Sequence, residues 1–224
     1  MHPQVIMIKR RAFCSLAIPL TLAVPNAVRA QEQFVPGKHY REVSPRQTTK
    51  DPKQVEVLEF FAYSCSHCSA FEPALEAWVK QLPRDVQFRR IPVAFRKNLV
   101  IHQQLYFAVE ALGLVEQLHG KLFQAIHVDQ QSLATASDIA AFVGKNGADG
   151  KRLVETMNSF GVAGKANQAT ALASGYKIEG TPSLGVDGRW LTSGSLAGSN
   201  PRSLQVAEHL IALARKGGRT LQPT

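Results

Sequence analysis

The sequence contains little cysteine: Cys14, Cys65 and Cys68 are the three in 224 residues. A small secreted scaffold held together by disulfides normally uses more cysteines at longer spacings, so that class of protein is excluded. A structural zinc site needs about four ligands, and the sequence has no second cysteine pair to complete one. We therefore predict no metal site.

Dense basic clusters and long apolar segments are absent beyond the first 30 residues. The formal net charge is +9, and four positive charges lie in residues 1–30, so +9 less four leaves +5 for the remainder. No stripe of lysine and arginine interleaved with aromatics accompanies this charge, which argues against a nucleic-acid partner. No later segment is long and apolar enough to cross a bilayer.

The N-terminal 30 residues have the pattern of a secretory signal peptide. Lys9, Arg10 and Arg11 form a basic region, and the apolar stretch 12–25 that follows is too short to span a bilayer comfortably. Small residues precede a predicted cleavage site near Ala30. We expect the chain to be exported without this segment, which also removes Cys14. The paired arginines leave open whether a general or a twin-arginine pathway exports it.

The rest of the chain predicts an α/β protein with an all-helical insertion. Strand patterns occur at 55–63, 86–95, 176–186 and 189–192, with a further edge strand near 39–43 and an Asp-Gly hairpin signal between the last two. Helical periodicity dominates 69–82, 97–174 and the segment after Asn200. We expect one sheet-containing domain built from 31–96 and 175–216, a helical insertion over 97–174, and a disordered tail at 217–224.

Cys65 and Cys68 lie at a predicted junction between a buried strand and an amphipathic helix. The free N–H groups and partial positive charge of a helix N-terminus favour a thiolate, the reactive form of cysteine. A disulfide with two intervening residues closes a very short loop and adds little stability. A c-type haem site would need histidine directly after Cys68, where Ser69 stands. We interpret the pair as a redox centre.

Two neighbouring ionisable residues are candidates for tuning this chemistry. His67, between the cysteines, can be partly cationic near neutral pH and so stabilise a Cys65 thiolate. Glu59 lies within the apolar strand, where a carboxylate is costly unless it is paired or protonated. We predict that Glu59 is an acid of raised pKa that handles protons for Cys68, with Arg90 of the next strand as its partner. By contrast, we expect the histidines on predicted helices to be ordinary surface or core residues: His102, His119 and His127.

Two motifs carry a family resemblance: LEFFAYSCSHC around the cysteines and GTPSL around Pro182. With the hairpin and final helix they resemble a thioredoxin fold, and the inserted helices make the chain similar to the DsbA family of periplasmic thiol:disulfide oxidoreductases. The resemblance implies that Cys65 is the exposed nucleophile and Cys68 its buried partner. It implies that Pro182 is a cis-proline facing the disulfide, and that Thr181 binds substrate backbone.

The sequence departs from the family pattern at two positions. Ser66 follows the first cysteine where the family commonly has proline; we expect Ser66 to contact substrate and to alter the redox balance. Arg90 stands where the family often has lysine, and because arginine keeps its proton, its role reduces to a fixed charge.

The resemblance implies a periplasmic disulfide donor that needs no cofactor and acts as a monomer. Its partners would be unfolded exported proteins with cysteine thiols and a DsbB-like membrane quinone reductase that reoxidises it. Two alternatives stay open on the sequence: a disulfide isomerase or reductase, and a non-catalytic metal- or peptide-binding module of thioredoxin type.

Overall fold

The computed structural model describes residues 34–217 together with Met1, His2 and Gln4, which are exposed. Nearly all of the predicted signal peptide and of the predicted disordered tail therefore lies outside the described residues. The elements follow one another in this order along the chain: β1 (Arg41–Glu42), β2 (Val55–Phe61), α1 (Ser66–Val79), β3 (Val86–Pro92), α2 (Val100–Ala111), α3 (Val115–His127), α4 (Ala136–Lys145), α5 (Gly150–Met157), α6 (Phe160–Gly175), β4 (Ser183–Val186), β5 (Trp190–Ser193), α7 (Gly194–Ala197) and α8 (Asn200–Lys216).

The five strands form one mixed sheet in the order β1-β5-β4-β2-β3. β2 pairs parallel with β3 and antiparallel with β4, so it lies inside the sheet, and all seven of its residues are buried. This burial on both faces explains why its sequence is a nearly continuous apolar run. Its carboxyl end leads toward Cys65, so a fully buried strand inside the sheet positions the start of α1, where the two cysteines lie.

Two hydrophobic cores pack against the sheet. One contains Phe71, Leu75 and Trp78 of α1 together with apolar residues of α8 and the strands. The other contains Phe60 and Phe61 of β2 and the apolar faces of α2 to α6. Because residues 97–174 contribute helices and no strand, the predicted all-helical character of this segment is confirmed.

The structure corrects several element boundaries. Residues 176–182 were predicted as strand, but β4 begins only at Ser183; Lys177 has a φ of 52°, and Pro182 has no N–H to donate to a ladder. The second strand likewise ends at Pro92 and not at residue 95. Helix α1 begins at Ser66, three residues earlier than its periodicity indicates, because the polar first turn carries no apolar signal.

The structure also shows which residues form the hairpin turn between β4 and β5 and which residue caps α4. The hairpin prediction is confirmed, since Asp187 and Gly188 both have the positive φ of a type I′ turn, at 53° and 66°. Ser137, the serine that precedes the apolar residues of α4 in the sequence, lies inside this helix and does not cap it. Thr135 caps α4, with its side chain accepting a hydrogen bond from the backbone N–H of Asp138.

Candidate active site

The two cysteines occupy the first turn of α1, where they differ in exposure. Cys65 is the N-cap residue with an extended backbone and is half-buried, whereas Cys68 is completely buried. Both are free thiols, and the backbone N–H groups of Cys68 and Ser69 donate to the Cys65 carbonyl at 3.1 and 3.2 Å. The strand-to-helix junction thus exposes one sulfur and hides the other.

The pKa of the Cys65 thiol is lowered to about 5, chiefly by a hydrogen bond from the Cys68 side chain. Partial burial opposes this shift, while hydrogen bonds with Thr181 and with the backbone N–H groups of Cys68 and His67 add to it. The backbone N–H groups of Cys68 and His67 are donors that a helix N-terminus leaves free, so the helix start itself helps to stabilise the thiolate. At neutral pH Cys65 is therefore a thiolate.

The Cys68 thiol has the opposite electrostatic environment. Its pKa is raised far above the ordinary range, first because it donates its hydrogen bond to Cys65 and then because it is buried. The negative charge of Glu59 raises it further. The pair therefore contains one sulfur that readily carries charge and one that must hold a proton.

A cavity of about 530 Å³ opens beside Cys65 and is partly lined by His67, Thr181 and Pro182. The Thr181–Pro182 bond is cis, as the family resemblance implied, and the Cys65 sulfur lies 3.2 Å from the Thr181 carbonyl oxygen. The structure thus brings the proline loop against the first cysteine.

The structure places His67 and Ser66 on the surface at the start of α1. The His67 imidazole borders the cavity, and the backbone N–H of this residue is among the groups that lower the Cys65 pKa. The charge effect predicted for the imidazole itself stays a prediction. Ser66 is not among the residues that line the cavity, so its predicted contact with substrate also stays a prediction.

Glu59 of β2 is fully buried and pairs with Arg90, as predicted. The two residues are cross-strand neighbours, and Arg90 Nε lies 3.3 Å from Glu59 Oε2. Neither Glu59 oxygen has a hydrogen bond within the described part of the chain. Burial raises the pKa of Glu59, and the negative charges of Glu72 and Cys65 raise it further against the opposing charge of Arg90.

A family model described as a DSBA-like thioredoxin domain matches residues 87–204. The thiol:disulfide interchange protein DsbA of Burkholderia cepacia is 36% identical over 203 residues, which cover 90% of this chain and 96% of the relative. The DsbA of Pseudomonas aeruginosa is 34% identical over 91% of this chain and 97% of the relative. This chain belongs to the DsbA family.

Solved DsbA structures share the fold as well. The crystal structure of Pseudomonas aeruginosa DsbA aligns with a TM-score of 0.80 at 34% identity and covers 84% of this chain and 97% of that one. The DsbA of Xylella fastidiosa aligns with a TM-score of 0.76 at 28% identity and covers 82% of this chain and 98% of that one. The chain is therefore a thiol:disulfide oxidoreductase with a DsbA-type thioredoxin fold, and the fold class predicted from sequence is confirmed.

In this DsbA-family site, sequence reasoning missed two buried polar residues. Glu72 of α1 contacts Arg90 Nη2 through its Oε1, and the same oxygen lies 3.4 Å from His119 Nε2. Glu72 stands four residues after Cys68, on the buried helix face that also carries Phe71 and Leu75. An acidic residue on the apolar face of a predicted helix indicates a buried carboxylate, so the sequence did contain a signal for Glu72. His119 was expected to be an ordinary histidine, and nothing in the sequence connects it to the cysteines.

The charges of this cluster have a definite arrangement. Burial raises the pKa of Glu72, but its contacts with His119 and Arg90 outweigh burial, so the net pKa is lowered and Glu72 is ionised at neutral pH. Burial lowers the pKa of His119 despite the nearby carboxylate, which leaves the ring neutral. We therefore assign Glu72 as an anion, Arg90 as a cation and His119 as a neutral ring. Glu59 is the group of this cluster that can hold a proton.

Two classes of feature are absent from residues 34–217. No group of three or more histidine, cysteine, aspartate or glutamate side chains in this range could hold a metal ion. No helix in the same range is long and apolar enough to cross a membrane.

Proposed function

We propose that the protein donates a Cys65–Cys68 disulfide to reduced cysteines of exported proteins. The observation that carries this proposal is the asymmetry of the two sulfurs, since the pKa of Cys65 is lowered to about 5 while that of Cys68 is strongly raised. A stabilised thiolate makes the dithiol form favourable and the disulfide form a good oxidant. Membership of the DsbA family supports the same reaction.

The first step is attack by a substrate thiolate on the Cys65 sulfur. Cys65 is the half-buried member of the pair and its sulfur lies 3.2 Å from the carbonyl oxygen of Thr181, a residue that lines the cavity, whereas Cys68 is completely buried. A new bond joins the substrate sulfur to Cys65, the Cys65–Cys68 bond breaks, and its electron pair goes to Cys68. The buried Cys68 sulfur then needs a proton, because burial makes its thiolate costly.

Glu59 is suited to supply that proton. It is buried within the electrostatic reach of both cysteines, and its pKa is raised mainly by burial, so it holds a proton near neutrality. Transfer of this proton to Cys68 would leave a carboxylate beside Arg90, whose permanent charge stabilises it. Glu59 regains its proton from solvent in a later step.

The second step releases the oxidised substrate. The second substrate thiolate attacks the first substrate sulfur, the bond to Cys65 breaks, and Cys65 leaves as a thiolate. A sulfur of lower pKa is a better leaving group, so the features that lower the Cys65 pKa accelerate this step. Two substrate thiols are oxidised in total, and the protein disulfide is reduced.

The cavity beside Thr181 and Pro182 is the proposed binding site for the substrate chain. An extended segment can pair with the free backbone of Thr181, as in strand addition to a sheet edge. Pro182 contributes no competing N–H donor at this point, and Ser66 at the helix start remains a candidate contact.

The cellular setting is proposed from the sequence and the family together. A signal peptide cleaved near Ala30 would deliver the protein to the periplasm, where disulfides persist. A DsbB-like membrane quinone reductase would reoxidise the dithiol, and the protein would act as a monomer without a cofactor. Within the chain, 31–96 and 175–216 form the proposed thioredoxin-like domain, and the helical insertion 97–174 covers one face of its sheet.

Oxidative refolding of a reduced, unfolded protein substrate tests this function. The oxidised protein, mixed stoichiometrically with such a substrate, is expected to convert substrate dithiols to disulfides within seconds to minutes, while a Cys65→Ser variant is inactive. Thiol trapping followed by mass spectrometry measures the substrate disulfides. A protein that rearranges scrambled disulfides, but leaves reduced substrate thiols unoxidised, would be an isomerase and would contradict the proposal. Metal binding without thiol oxidation would likewise contradict it.

A further inference from the structure

His119 connects the helical insertion to the buried charges below the cysteines. It lies on α3 with 2% of its surface exposed, and its Nδ1 is 2.8 Å from the Tyr63 hydroxyl. Its buried Nε2 faces Glu72 Oε1 at 3.4 Å, longer than a well-formed hydrogen bond, and has no other hydrogen-bond partner among the described residues. Glu72 contacts Arg90, and Arg90 contacts Glu59. One chain of contacts thus runs from His119 to the proposed acid.

The surroundings fix the orientation of the His119 ring. The rings of Phe61, Tyr106 and Phe123 surround it, with centroids 5.2, 5.9 and 5.1 Å away. Since burial keeps the imidazole neutral, it carries one N–H. A Tyr63 hydroxyl that donates to Nδ1 places this N–H on Nε2, which faces Glu72.

The permanent positive charge of Arg90 interacts with two buried carboxylates in this cluster. Arg90 lies between Glu59 and Glu72, whose side chains are 0% and 6% exposed. If both acids were ionised, a net negative charge would remain buried, which is costly. One of the two therefore keeps a proton. His119 supports the ionised state of Glu72, so the proton remains on Glu59.

We propose that His119 is a positioning residue that holds Glu72 in its ionised state and thereby reserves the cluster's proton for Glu59 and Cys68. This inference rests on the proposed role of Glu59. Without the Nε2 donor, Glu72 would compete less well for Arg90, and Arg90 would favour ionised Glu59 instead. The reaction would then lose its proton donor near neutral pH, although the cysteines and the substrate cavity are untouched.

The other groups that face His119 do not replace this function. Glu76 of α1 acts on the ring only through its charge, and Arg90 also acts on it through charge. The hydroxyl of Tyr63 occupies the opposite nitrogen. Tyr106 of α2 packs against the ring, and burial raises its own pKa, so it stays neutral. Glu72 is thus the group whose ionisation His119 controls most directly.

The test measures how fast dithiothreitol opens the protein disulfide between pH 5 and 9, with rates corrected for the thiolate fraction of the reagent. The wild-type rate constant should fall as pH rises through the titration of Glu59. In His119→Leu this fall should begin at least one pH unit lower. At a pH above the titration of Glu59 in both proteins, a one-unit shift would make the variant about tenfold slower.

Matched variants separate positioning from packing. His119→Gln keeps an N–H donor for Glu72 and should restore most of the wild-type profile, whereas His119→Asn keeps a polar partner for Tyr63 only and should resemble His119→Leu. If His119→Leu does not fold, the Asn and Gln pair carries the test. His102→Leu is the control: His102 is a buried histidine of α2 whose Nε2 lies 3.2 Å from the carbonyls of Ser132 and Leu133, and its ring, like that of His119, packs near Tyr63, with centroids 6.4 Å apart.

A double variant with Glu59→Gln tests whether His119 acts through Glu59. The double variant His119→Leu/Glu59→Gln should be no slower than Glu59→Gln alone, because both changes remove the same proton donor. Additive losses, or an equal change of profile in His102→Leu, would overturn the role of His119. A Glu59→Gln variant with a wild-type profile would instead overturn the proposed function of Glu59, so the two failures are distinguishable.

Discussion

A Cys68→Ser variant is expected to form mixed disulfides that persist at least about 100-fold longer than those of the wild type. In the wild type, Cys68 lies in the same helical turn as Cys65 and attacks the mixed disulfide intramolecularly, with the high effective concentration of a held group. Serine cannot do this. The variant loses the hydrogen bond from the Cys68 thiol, the largest effect that lowers the Cys65 pKa, but keeps those from Thr181 and from the backbone N–H groups at the helix N-terminus. Mixing the variant with glutathione disulfide, followed by acid quench and intact-mass measurement, gives the adduct lifetime.

The matched control is Cys65→Ser, which leaves Cys68 as the remaining thiol of residues 34–217. Because Cys68 is buried and its pKa is strongly raised, this variant should form no adduct under conditions that saturate Cys68→Ser. Equal adduct formation by the two variants would contradict the assignment of nucleophile and partner.

The dithiol form is expected to gain stability relative to the disulfide form as pH rises above about 5. Below this pH, the Cys65 thiol is protonated in both folded and unfolded chains and contributes nothing. Between about 5 and 8.5, the folded chain has lost this proton and the unfolded chain has kept it, so unfolding takes up a proton and stability increases with pH. The disulfide form has no such thiol, so subtracting its stability isolates the effect.

The size of this gain follows from the pKa shift. Two pH units give at most about 2.7 kcal/mol by pH 7; since Cys65 is half exposed to solvent, roughly 1–2 kcal/mol is realistic. In a chain of this size that corresponds to about 2–8 °C in Tm. Thermal unfolding of both redox forms at pH 4, 5, 6 and 7 measures it. A difference in Tm that is constant over this range would contradict a low Cys65 pKa.

The sequence predicted the parts of the site that are encoded locally. A buried strand, two cysteines and an amphipathic helix follow one another within 55–82, so the placement of the thiols at a helix start could be inferred from adjacent residues. Glu59 and Arg90 could be paired because parallel strands place residues of neighbouring apolar runs side by side. Pro182 required the family resemblance, since its approach to Cys65 joins segments more than 100 residues apart.

The residues that were missed depend on contacts between distant helices. His119 meets Glu72 because α3 packs against α1, and no periodicity in either helix specifies that meeting. The predicted start of β4 was wrong because side-chain polarity does not mark where the strand begins. Tyr176 and Lys177 were included in the strand but precede it. Arg41 donates hydrogen bonds to both of their carbonyl oxygens at 2.9 and 2.6 Å, so side-chain contacts satisfy groups that a strand would have paired.

The redox potential of the Cys65–Cys68 pair, measured by equilibration in glutathione buffers at pH 7, tests the central claim most directly. Thioredoxin has an active thiol of pKa about 7 and a potential of about −270 mV. A Cys65 pKa of about 5 favours the thiolate by a further 2.7 kcal/mol or so, equivalent to roughly 60 mV. We therefore expect a potential of about −210 mV or more positive. A potential at or below about −270 mV would contradict a disulfide donor.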